Sequence, residues 1–383
     1  MTDLRIGKDR VRLYGVGLAL IGLSQLRFVS SVGHYWDWPD FYVAGATAGT
    51  RALLDPAAHA AWGTAHQLPV TAFAYAPGFA WLLAPAAHLS IPWGFALNAI
   101  LMSVAAVFAA LLASRVYSID RAQATYMTIG WAPVTAAVVT GQNSPLGLLL
   151  SLVAIDGLQS DDALRAGLAV GALGYKPTYV LPFGLLLLLY RKWKALGVVA
   201  ACGVGWYVLS AYAAGGDWMW PRPYLESVAS YVGPDFAYNR AKAVSLPGVL
   251  MVAGVSSKVA FPLGMALLIG ALVWLRVRGA DLVQAASFAG AIAVATSPHA
   301  WPYDAAVALP GLFWIAAKGQ EPARTRAIVV AYAVAPTWLA AHVLGFDLFA
   351  IVVIGGAAWV VGASGNRRSE EGLGPKLPNA ETS

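Results

Sequence analysis

The polar side chains of this chain gather at the ends of apolar runs, and the types gathered there suit proton transfer and phosphate binding. Asp37 and Asp40 stand in YWDWPDFYVAGA, with Trp36 beside them. Tyr75 stands in TAFAYAPGFAWLL, Gln142 and Asn143 in GQNSP, and Lys176 in GYKPTY. Arg222, Arg240 and Lys242 share the loop 215–245, and His299, Trp301 and Asp304 share SPHAWPYD. A carboxylate can take the proton of a hydroxyl as it becomes a nucleophile. Fixed cations can stabilise the charge that develops on a departing phosphate. Aromatic rings offer flat apolar surface to a sugar or a prenyl chain.

Each of these residues also has a plainer reading. Asp40 can cap the helix that starts FYVAGATAG by accepting a main-chain N–H. Gln142 and Asn143 can satisfy backbone groups at a tight turn. Lys176 can extend its ammonium to the membrane interface. His299 can be structural, because no His/Glu spacing suggests zinc. Other chemistries lack their motifs. GxxxxGK[ST], a strand-borne GxGxxG and a GxSxG elbow are all missing. Cys202 is the single cysteine, so neither a disulfide nor a thiolate metal site is available. No metal and no cofactor is expected.

The elements that must position these residues are hydrophobic helices. Of 383 residues, 59% are hydrophobic and 11% charged, and mean hydropathy is +0.63. A soluble chain carries about twice that share of charge. The fold expected is all-α: a polytopic membrane protein of about 12 transmembrane helices with helical outer loops. Crossings are placed near 11–30, 93–114, 123–140, 144–157, 163–175, 177–190, 195–213, 259–275, 281–297, 302–317, 326–343 and 347–363. The apolar stretch 71–89, broken by Pro77 and Pro85, is read as re-entrant or interfacial, and 246–258 either spans or re-enters. Residues 1–363 form one membrane domain, and the polar tail 364–383 is expected to be disordered.

Charge sets the orientation. The formal charge is +6, but the basic residues fall in short clusters between apolar runs, which argues for topology and against a nucleic-acid partner. Most of the 25 Lys and Arg, including Arg5 to Arg12, Arg115, Arg121, Arg165, Arg191 to Lys194, Arg276 and Arg278, fall on one side. The positive-inside rule makes that side cytoplasmic. All the polar motifs then share the outer face of the plasma membrane. Ionisable groups placed there are costly and mark function.

The order DFYVAGA, YAPGFAWLLAP, GQNSPLGLLL, GYKPTYVLPFGLLLLLYRKWKAL and SPHAWPYDAAVALP resembles glycosyltransferase family 87 (GT87, the DUF2029 group), from about Asp40 to Pro310. These are integral-membrane enzymes of the GT-C superfamily. The resemblance implies a polyprenyl-phosphate sugar donor, usually carrying mannose and in some members arabinofuranose. It implies inverting transfer on the outer face to a glycolipid or cell-envelope polysaccharide. It also implies a catalytic acid in the first outer loop, a position matched here by Asp40. On that basis Lys176, Arg222, Arg240, Lys242 and His299 are candidates for the donor phosphate. Trp36, Asp37, Tyr75, Gln142, Asn143, Trp301 and Asp304 are candidates to line the substrate. The chain departs from its relatives in placing His299 before Trp301, where they often carry a His pair after the Trp. The rival reading is a secondary transporter or flippase of a lipid-linked or small anionic substrate. Crowding of the polar groups on one face, rather than at the midplane, argues against it.

Overall fold

The computed structural model describes residues 37–68, 70–71, 73–319, 323–340 and 347–363. The first apolar run, Trp36 and the tail 364–383 lie outside these. Among the described residues all regular structure is helical, with 17 α-helices joined by short 3-10 segments and no strand. Three helices are long and apolar enough to cross a bilayer: Ile91–Tyr117, Trp193–Ala213 and Ser257–Val277. Ser144–Gln159, Pro177–Leu189 and Leu282–Thr296 are apolar but shorter.

Ile91–Tyr117 shows how such helices pack. Its small residues Ala105, Ala106, Ala109, Ala110 and Ala113 face inward, towards Ser144–Gln159. Its large ones, Ile100, Leu101, Val107 and Phe108, are exposed. Lipid is as apolar as leucine, so bulk can stay outside while small side chains let backbones approach.

Breaks in the helices bring polar groups inward. The expected crossing 123–140 is two helices, Arg121–Gly130 and Ala132–Thr140, parted at Trp131. Pro133 has no N–H to give the Ile129 carbonyl, and Thr135 Oγ1 donates to that carbonyl instead at 3.1 Å. The crossing expected at 302–317 begins as a 3-10 segment, Pro302–Ala308, before the helix Leu309–Lys318. That at 326–343 is the helix Ala323–Val334 followed by 3-10 turns, and 341–343 lie outside the described residues. Within 71–89 the α-helix Ala80–Ala87 has 8 residues. It is about 12 Å long against a hydrocarbon core of about 30 Å. Leu246–Val252, with 7 residues, is shorter still.

The two ends of the bundle differ in chemistry. Asp156, near the end of Ser144–Gln159, accepts from Arg115 at 2.8 Å and from Arg165 at 2.7 Å. Lys192 pairs with Asp161 at 2.7 Å at the same end, which holds the Asp161 carboxyl below the usual carboxylate range. Gln142 and Asn143 lead into the other end of that 16-residue helix, about 24 Å away along its axis.

Candidate functional site

The GQN turn fixes the first acid. Asp37 N–H donates to the Thr140 carbonyl at 3.1 Å. The next residue is Gly141, with φ +81°, a left-handed conformation that glycine adopts without penalty. A Cβ there would lie 2.7 Å from Trp38 Cβ. The Gly141 carbonyl accepts from Asn98 Nδ2 at 3.0 Å, and the Trp38 indole donates to the Ile91 carbonyl at 3.2 Å. Trp38 is fully buried. Asp37 therefore sits on a main-chain platform shared by three segments.

From Asp37 a continuous hydrogen-bond chain runs through the site. Gln142 Nε2 donates to Asp37 Oδ2 at 2.8 Å. Gln142 Oε1 accepts from the Tyr75 hydroxyl at 2.8 Å. That hydroxyl accepts from Lys176 Nζ at 3.3 Å. Lys176 is also paired with Asp304 Oδ1, which accepts from the Tyr179 hydroxyl at 2.9 Å. Tyr179 in turn lies 3.0 Å from Ser144 Oγ. Since the Tyr179 proton goes to Asp304, Ser144 is the donor of that last bond. Every link uses each group in its proper sense, and linked bonds polarise one another.

Lys176 is the hub because its backbone is bent there. The 3-10 turn Leu173–Tyr175 ends one helix, and Pro177 opens the next. A residue before proline is pushed to extended geometry, and Lys176 has φ −127° and ψ 101°. Its ammonium lies 5.1 Å from the Tyr75 ring centre, 4.7 Å from Tyr179 and 6.0 Å from Tyr303, within cation–π range. The Lys176 and Asp304 side chains are 13% and 6% exposed, so this lysine does not reach out to the interface. Asp304 is held by local geometry as well. At the third position of its 3-10 segment, its Oδ2 accepts from Trp301 N–H at 3.0 Å.

Asp40 stands one turn further along the same helix as Asp37. The helix Trp38–Thr47 starts before Asp40, and neither acid caps it through its side chain. The Asp40 carboxylate instead receives Thr71 N–H at 2.5 Å and Thr71 Oγ1 at 2.8 Å. Phe41, next to it, packs on Tyr75 with ring centres 5.1 Å apart. Asp40 is thus the sequence neighbour of a ring that packs on Tyr75, the tyrosine that Lys176 contacts.

The other expected residues are spread around this centre. His299 meets Trp301 edge to face at 4.8 Å, and Trp301 stacks on Phe236 at 6.1 Å. The Asn143 amide is buried, and neither of its polar atoms makes a hydrogen bond among the described residues. Arg222 is exposed and pairs with Glu226 at 3.0 Å. Arg240 and Lys242 form a 3-10 turn in which Lys242 donates to Asn239 Oδ1 at 3.1 Å. Among the described residues neither Arg222 nor Arg240 contacts Lys176. Among the described residues no three His, Cys, Asp or Glu side chains converge as a metal would require. Thr71, Tyr175, which stacks on Tyr75 with ring centres 6.1 Å apart, and Tyr179 join this candidate site and are not singled out by the sequence. GYKPTY carried the signal for the two tyrosines, whereas nothing near Thr71 marks it as a partner of Asp40.

A helical membrane protein with a buried acid–amide–tyrosine–lysine–acid chain at one end fits a group-transfer enzyme. The sequence model of glycosyltransferase family 87 matches residues 73–298, which is more than half of the chain. The chain belongs to that family and is a membrane glycosyltransferase. The match contains Tyr75, Gln142 and Lys176, starts after Asp40 and stops just before His299. No curated protein and no solved structure matches the chain.

Proposed function

We propose that the protein transfers a sugar, most simply mannose, from a polyprenyl-phosphate donor to a glycolipid or cell-envelope glycan. Transfer takes place with inversion at the outer face of the plasma membrane, and without a metal. The observation that carries this reading is the Lys176 hub: an almost fully enclosed ammonium, walled by tyrosines and joined through Tyr75 and Gln142 to Asp37, the residue before the helix that bears Asp40. The opposite placement of the Arg115, Arg165 and Lys192 cluster supports the outer-face assignment.

In the proposed reaction the acceptor hydroxyl attacks the anomeric carbon as the bond to phosphate oxygen breaks. Asp40 takes the hydroxyl proton, its carboxylate oriented by the two bonds from Thr71. The charge gained by the phosphate is taken up by Lys176, which exchanges its Asp304 partner for the donor. Arg222, Arg240, Lys242 and His299 are proposed to guide the anionic donor from the outer loop. Phosphate is a good leaving group, so no Lewis acid is needed. A second reading makes Asp37 the base, favoured by its direct line to Lys176 through Gln142 and Tyr75.

The test is chemical. Purified protein with polyprenyl-phosphate mannose and a lipid extract should yield a mannosylated product whose anomeric configuration is opposite to the donor's. Retention of configuration, or transport of the intact donor without sugar transfer, contradicts the reading.

A further inference from the structure

A second concavity lies outside the Lys176 site. It is a groove of about 520 Å³ between the 3-10 helix Arg51–Leu54 and the helix Pro221–Asn239. Arg51, Asp55, Asp217, Glu226, Ser227 and Ser230 supply its polar lining, and Leu54 and Ala214 an apolar floor. The Ser227 hydroxyl belongs to a residue only 5% exposed and makes no hydrogen bond among the described residues. The groove lies at the Lys176 end of the bundle. Asp217 follows the end of Trp193–Ala213, and Gly49 N–H donates to the Ala213 carbonyl at 2.8 Å. Tyr224, one turn before Ser227, donates to the Ala74 carbonyl at 3.2 Å, and Ala74 precedes Tyr75 of the hub.

We propose that this groove seats the acceptor as an uncharged, hydroxyl-rich oligosaccharide, an assignment that rests on the transferase reading above. Carboxylates and a guanidinium match pairs of sugar hydroxyls by accepting and donating in parallel. The apolar floor suits the C–H face of a pyranose. Asp55, Asp217 and Glu226 outnumber Arg51 and the Arg222 that pairs with Glu226, so the groove keeps a net negative charge that disfavours a phosphorylated glycan. The Ser227 hydroxyl supplies one further polar contact, exchanging water for a sugar hydroxyl.

The experiment is saturation-transfer NMR on the full chain in lipid nanodiscs, with a panel of neutral trisaccharides and their phosphorylated counterparts. The wild-type protein binds a neutral trisaccharide and not its phosphorylated form. Glu226→Lys, at an exposed position, weakens neutral binding about tenfold, the loss of one charge-assisted hydrogen bond, and admits the phosphorylated sugar. Ser227→Leu fills the groove and abolishes binding of the neutral trisaccharide. The proposal is overturned if no neutral trisaccharide binds, if the phosphorylated form binds equally well, or if both variants bind like wild type. Sugar binding without any transfer from polyprenyl-phosphate mannose overturns the transferase reading alone. Transfer to a lipid extract without trisaccharide binding overturns the groove alone.

Discussion

Lys176 and Asp304 are 128 positions apart in sequence and meet inside the protein. Breaking a buried ion pair leaves a charge with no compensation and costs about 3–5 kcal/mol. Asp304→Asn should therefore lower the unfolding temperature of the solubilised protein clearly, and Lys176→Met should do the same. The double variant should regain much of that loss, because no lone charge remains. Activity should not follow stability. In both Lys176→Met and the double variant the KM for the donor should rise at least about tenfold, with acceptor KM little changed. Donor KM restored along with stability would make Lys176 a structural residue. The sequence told part of this story. Lys176 stands out in the sequence as a cation between apolar runs, and Asp304 as the acid of the motif SPHAWPYD. Their pairing was not legible, because no local pattern specifies a contact over such a separation. Asp40 was singled out by its motif position, yet its grip by Thr71 replaces the cap that local rules suggested.

The elements explain why the residues meet. Gly141 combines a left-handed backbone with contact to Trp38. Gly141→Ala should cost more than about 1 kcal/mol from backbone conformation alone, plus the clash. It should also reduce turnover by moving Asp37 off Gln142. Thermal unfolding and transfer rates check both, and an unchanged rate would detach the Gln142–Asp37 bond from catalysis. The helix Pro56–His66 carries a different sensitivity. His59 is 1% exposed, and burial lowers its pKa from the ordinary 6.5, with Leu53 and Asp55 offsetting only part. The folded state thus holds His59 neutral, while the unfolded chain takes up a proton below about pH 6.5. Stability should fall as pH drops from about 6.5 towards the lowered value. His59→Leu should flatten that part of the profile of unfolding temperature against pH, and a parallel slope would exclude His59. Helix positions were readable from apolar runs and prolines. The break at Trp131 was not, although Pro133 is visible, because hydropathy runs straight through it. The break matters, since the Trp131 indole donates to the Ala305 carbonyl at 2.9 Å, beside Asp304.

At the scale of the whole molecule, charge and polarity are sorted to opposite ends of one helical bundle. The Arg115–Asp156–Arg165 cluster closes one end, and the acids, Lys176 and the groove at Arg51 occupy the other. This sorting was the most legible feature of the sequence, because positive charge between apolar runs is selected for topology and not for contacts. It turns the central claim into a vectorial one: an acid and a caged cation at the outer face act on a lipid-borne sugar. The direct measurement uses sealed membrane vesicles and a short-chain, water-soluble polyprenyl-phosphate mannose added from outside. Right-side-out vesicles should transfer the sugar, inside-out vesicles should not, and Asp40→Asn should abolish transfer while the protein stays folded. Transfer only by inside-out vesicles, or an Asp40→Asn protein at the wild-type rate, would contradict the account.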